Sequence, residues 1–141
     1  MKLNLCIGLA LCSVLVPGAA VAKNTVLQIV DLSEMGLSTE GGEATLYRVN
    51  YAKRAVCKIE VIHFGEMGRK ISEFEFGSKL YSAEEKEYRY SAPLSENPKA
   101  KLILANKMTL KTQDGQGALP EAFETYKALF DAAKVAGCEG R

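Results

Sequence analysis

The chain has 141 residues, with 18 Lys+Arg against 17 Asp+Glu and a single histidine. That length holds one ordinary core and not two domains. The near balance of charge, with no basic block, removes the electrostatic case for nucleic acid or an anionic membrane as partner.

The N-terminus reads MKLNLCIGLALCSVLVPGAAVA. Lys2 is followed by an apolar run from about Leu5 to Val16, then the helix breakers Pro17 and Gly18, then the small-x-small pattern Ala20-Val21-Ala22. This is the pattern of a secretory signal peptide cleaved after Ala22. The run is shorter than the ~20 apolar residues a bilayer span requires, so no stable membrane insertion is expected after cleavage. A lipid anchor on Cys12 would need a small residue before it, and Leu11 stands there. Cleavage takes 22 of the 141 residues, Lys2 among them, and leaves 119 residues (23–141, a single globular domain) with 17 charges of each sign.

The same cut removes Cys6 and Cys12, so two cysteines remain, Cys57 and Cys138. In the periplasm or outside the cell such a pair most simply forms one disulfide. Redox motifs place their cysteines close together, as in C-x-x-C, whereas these are far apart. The expected role is structural, with a ceiling of ~4–5 kcal/mol for so long a loop.

Residues 24–31, NTVLQIVD, are apolar and β-branched enough for a strand, and LSEMGLSTEGGE reads as a loop. ATLYRVNYA (44–52) alternates as a second strand, with Tyr47, Val49 and Tyr51 on one side. Residues 55–76 give two alternating runs around GEMG. Pairing Phe64 with Arg69 makes them an antiparallel hairpin. Cys57, Ile59, Val61, His63, Ser72, Phe74 and Phe76 then share the core face. Lys58, Glu60, Arg69, Glu73 and Glu75 take the other, with Ile62, Phe64 and Ile71 near the turn. A one-residue slip would bury the charges.

GSK (77–79) reads as a tight turn, and the charged LYSAEEKEYRYSA after it as an edge or protruding strand. PLSENP is a loop. KAKLILANKMTLKT (99–112) is a strand broken near Ala105-Asn106 by a bulge or a tight hairpin, and DGQG is a turn. From Leu119 the period becomes helical: Leu119, Ala122, Phe123, Tyr126, Leu129, Phe130 and Ala133 fall on one stripe. Pro120 suits the first turn and Gly137 the position past the end. The expected fold is α+β: an antiparallel meander of five to six strands with one C-terminal helix on one face.

Chemistry is sparse. His63 stands alone, and ~20 Å of extended strand separates it from Cys57, too far for a nucleophile–base pair. A zinc site would need three or four ligands, and no phosphate-binding loop is present; no catalytic, metal or cofactor-binding set is expected. Glu73 and Glu75 share a face without a cleft, and Lys58 and Arg69 nearby point to cross-strand ion pairs. Tyr88-Arg89-Tyr90 supplies residue types typical of interface anchors.

The run IEVIHFGEMGRKISEFEFGSKLYSAEEKEYRYSAPL, residues 59–94, resembles β-meander segments of small exported bacterial proteins of unknown function. The resemblance covers about a quarter of the chain and implies no catalytic residue or ligand. The expected function is a non-enzymatic periplasmic or secreted accessory protein that binds a protein partner in the cell envelope, of inhibitor, immunity or envelope-accessory type. A carboxylate hydrolase would instead need a concave site gathering glutamates or His63. A small-ligand binder would need a pocket between helix and sheet lined by Phe74, Phe76 and Phe123.

Overall fold

The computed structural model describes residues 23–51, 55–111 and 118–139; the expected signal peptide and the DGQG turn lie outside them. Six strands follow in order: β1 Lys23–Asp31, β2 Gly42–Asn50, β3 Ala55–Gly65, β4 Gly68–Phe76, β5 Leu80–Tyr90 and β6 Leu102–Lys111. They form one sheet in sequence order, each strand antiparallel to the next. Two helices close the described chain, α1 Ala118–Lys127 and α2 Ala132–Cys138.

The hairpin register is the expected one: Phe64 opposes Arg69, and Cys57, Ile59 and Val61 oppose Phe76, Phe74 and Ser72. Period-2 alternation fixes it, because a one-residue slip would bring Lys58, Glu60, Glu73 and Glu75 to the core face in place of Cys57, Ile59, Val61, Phe74 and Phe76. Ile59, Val61 and Phe74 have no exposed surface. α1 lies on this face with Phe123 packed on Phe74 and Phe76 at ring separations of 5.8 and 5.2 Å. These rings pack on one another between helix and sheet, where a small-ligand binder would need its pocket. Ala44 and Leu46 of β2 and Ala83 of β5 extend the core sideways.

Three expectations need correction. First, LYSAEEKEYRYSA is not an edge strand: β5 lies between β4 and β6, and β6 forms the edge. Its charges are tolerated inside the sheet because they are paired: Glu84 and Lys86 join ion pairs on the helix-free face, and Glu85 takes Ser72 and Lys70 on the other. Second, the helix is interrupted. The Asp131 side chain accepts from the backbone N–H groups of Ala133 and Lys134, at 2.9 and 3.2 Å, and so starts a new helix. Third, Gly137 lies inside α2 and does not follow it. The break expected near Ala105 is a bulge, since Glu87 opposes Asn106 while Tyr88 opposes Leu104.

Cys57 and Cys138 are bonded, with Cα atoms 5.5 Å apart. Arg48 Nη2 donates to the Gly137 carbonyl at 3.3 Å, and the Gln28 side-chain oxygen accepts from the Asp131 backbone N–H at 3.1 Å. α2 is thereby tied to three strands, β1, β2 and β3.

Candidate interaction surface

The two faces of the sheet carry different chemistry. On the helix-bearing face, His63 Nε2 lies 2.9 Å from the Tyr126 hydroxyl. The buried Ser72 hydroxyl donates to Glu85 at 3.1 Å, and Lys70 pairs with the same carboxylate at 3.3 Å. Burial, reinforced by the Lys70 charge against a smaller opposing pull from Glu85, holds the His63 imidazolium below its ordinary value. Burial likewise raises the Tyr126 phenol, with Lys70 and Glu85 acting in opposite directions. This cluster seals the end of the helix–sheet seam. The Ser72 proton is directed to Glu85 and not to His63, so the pair is not arranged as nucleophile and base.

The helix-free face is crossed by a chain of alternating charges. Lys58 Nζ reaches Glu60 at 3.5 Å and Glu73 at 3.0 Å. Lys86 bridges Glu73, at 3.6 Å, to Glu84, and Lys107 closes on Glu84 at 2.8 Å. Register explains the need. Glu60, Glu73 and Glu84 are directly opposed across β3, β4 and β5, and like charges so placed repel. The lysines from flanking rows neutralise them. Burial alone would lower the Lys58 ammonium, but its bond and charge attraction to Glu73, with Glu60 beside it, hold it above its ordinary value. Hydrogen bonds from Lys107 and then Lys86 hold Glu84 down. A carboxylate held down as Glu84 is makes a poor general acid for hydrolysis.

Toward one end of the face the lysines and glutamates give way to apolar and aromatic side chains around one arginine. Phe64, Arg69, Tyr88 and Leu104 form a single row across β3, β4, β5 and β6. Tyr90 opposes Leu102 one step nearer the end. Phe64 is 46% exposed, Leu104 50%, and Met67, in the β3–β4 turn, 60%. The Arg69 guanidinium lies 5.7 Å from the centroid of the Tyr88 ring. Its Nε is buried and has no hydrogen-bond partner, an arrangement that costs about 1–3 kcal/mol. The expected ion pair between Arg69 and the hairpin glutamates is not formed; lysines take Glu60 and Glu73, and the Tyr51 hydroxyl donates to Glu75.

The connections at this end are joined to one another. Phe64 N–H donates to the Gly41 carbonyl and Tyr90 N–H to the Met67 carbonyl, each at 3.0 Å. Glu66 N–H donates to the Glu40 carboxylate at 3.3 Å, and the Ser95 hydroxyl to the Glu66 carboxylate at 2.7 Å. The β1–β2, β3–β4 and β5–β6 connections therefore hold one another in place. Between them lies a shallow depression lined by Glu40, Phe64, Gly65, Glu66, Tyr90 and Leu94. Gly68 makes the row possible: a side chain there would collide with the Tyr88 carbonyl, so its absence lets β5 approach β4.

Of the trio singled out in the sequence, Tyr88 and Tyr90 belong to this surface. Arg89, one residue out of phase, is exposed on the opposite face beside Gly68. The arginine that joins the tyrosines is Arg69. Phe64, Met67 and Leu104 were not singled out, although the hairpin register already placed Phe64 beside Arg69. No protein-family model, no curated protein and no solved structure matches the chain.

Proposed function

We propose that this is a small non-enzymatic accessory protein that acts by contact with another protein, of inhibitor, immunity or envelope-accessory type. Its contact surface is the end of the helix-free face built from Phe64, Met67, Arg69, Tyr88, Tyr90 and Leu104. The observation that carries this reading is the row Phe64–Arg69–Tyr88–Leu104. It gathers exposed apolar side chains and two of the residue types that dominate binding energy on a hydrogen-bonded scaffold, and the adjoining β3–β4 turn adds Met67, whose side chain adapts to a partner's shape. Large exposed apolar groups gathered in one place mark interaction sites. The Cys57–Cys138 disulfide suits an oxidising compartment. With the N-terminal segment, it supports a periplasmic or secreted location as part of the proposal.

The test is site-specific photo-crosslinking in the producing cell. p-Benzoylphenylalanine in place of Met67 or Leu104 should give one dominant protein adduct. The same group in place of Lys134, on α2, should not. Equal adducts from all three positions, or none from Met67 and Leu104, would overturn the reading.

A further inference from the structure

Each lysine of the helix-free charge chain has a carboxylate within 4.0 Å: Lys58 has Glu73, and Lys86 and Lys107 share Glu84. Arg69, on the same face, has none among the described residues, and its Nε lacks any partner. It is held instead against an aromatic ring, between exposed apolar side chains. An arginine needed only for solubility would extend into water; this one lies against the Tyr88 ring with its Nε buried and unpartnered. A planar guanidinium presented over a ring is shaped for two-pronged capture of a carboxylate.

The surroundings decide what carries that carboxylate. Glu60, Glu73 and Glu84 lie within about 13 Å along the strands, and Glu40 and Glu66 rim the other side. Lys58, Lys86 and Lys107 already answer the first three, so what a polyanion would meet is Glu40 and Glu66, and the patch favours a single negative charge. Phe64 and Leu104 on either side favour apolar groups next to it. We propose that Arg69 anchors an aspartate or glutamate side chain of the partner polypeptide, flanked in that partner by apolar side chains that cover Phe64 and Leu104. This inference rests on the protein-contact reading above. Because Nε is sealed in the stacked pose, the carboxylate takes the outer nitrogens of the guanidinium or draws it off Tyr88.

The test is a titration of the ¹⁵N-labelled, disulfide-bonded protein with N-acetyl-Leu-Glu-Leu-amide and, in parallel, N-acetyl-Leu-Gln-Leu-amide. Inorganic phosphate and acetate serve as simple anions. The glutamate peptide should shift the Arg69 Nε–H resonance together with the amides of Phe64, Tyr88 and Leu104. The glutamine peptide should bind about tenfold more weakly, the loss of one charge-assisted pair. Arg69→Gln should bring the glutamate peptide down to that level with other amides unmoved. If that variant fails to fold, Arg69→Lys, which keeps the charge but not the fork, should still bind more weakly than the native chain. Equal binding of both peptides at these amides would leave the contact surface standing and remove Arg69 as its anchor. No movement with either peptide would remove both. An Arg69 response to phosphate or acetate as large as to the peptide would reduce the site to a plain anion contact and defeat the inference.

Discussion

Phe74 and Glu73 are neighbours in sequence with opposite fates. Phe74 has no exposed surface and touches Phe123 and Tyr126, so Phe74→Ala should cost about 3–5 kcal/mol in denaturant unfolding. Glu73 is half-exposed and held by two lysines, so Glu73→Ala should cost under about 1 kcal/mol. That contrast was legible in the sequence, since alternation alone assigns the two residues to opposite faces. His63 allows a test by pH. Its folded value is depressed below the ordinary 6.5, with burial as the main cause. The unfolded chain therefore binds its proton more readily. Stability from this site is whole above pH 6.5 and falls as pH drops from 6.5 toward the depressed folded value. His63→Gln should flatten the stability–pH slope in that window relative to the native chain; unchanged slopes would show that other groups set it. The pairing of Arg69 with Tyr88 was not legible. It depends on the β4–β5 register, which shifts at Glu75/Phe76, and nothing local in the sequence announces that shift.

At the level of elements, each strand was found within a few residues, because alternation and turn glycines are local properties. What escaped was set by partners. β5 reads as an edge by its charges, yet it is internal, with Lys86 and Lys107 answering Glu84 and Lys70 answering Glu85. The helix reads as continuous by its apolar stripe, and one side chain, Asp131, divides it. Asp131→Ala should cost about 0.5–2 kcal/mol and reduce protection of the α2 amides. The disulfide acts on the same element. Cys57→Ser/Cys138→Ser should lower stability by about 2–5 kcal/mol, with α2 exchanging its amide hydrogens before the sheet does. Uniform loss of protection across all six strands would contradict that order. Gly68→Ala tests the hairpin end: the clash with β5 backbone should broaden or shift the Arg69 and Tyr88 resonances while leaving Cys57 and Phe76, at the far end of the hairpin, unchanged.

Across the whole molecule the sheet separates two tasks: one face buries the helices, the other remains available. The first was read directly from composition, since the apolar stripe of α1 had only one apolar face to cover. The second was read only in part, as Tyr88 and Tyr90, because exposed side chains leave no periodic pattern. The up-and-down path of the strands has a further geometrical consequence. Lys23 opposes Asn50, and Cys138, beside the last described residue, is bonded to Cys57 near the start of β3. Asn50 in turn opposes Ala55, so along β3 the two ends of the described chain lie about 33 Å (Lys23) and about 26 Å (Cys138) from Gly65 and the proposed contact surface. A tether at either end would hold the molecule like a post, with the proposed contact surface outermost. A bulky domain fused before Lys23 or after the C-terminal residue should leave the peptide titration unchanged, whereas a short insertion between Glu66 and Met67 should abolish it.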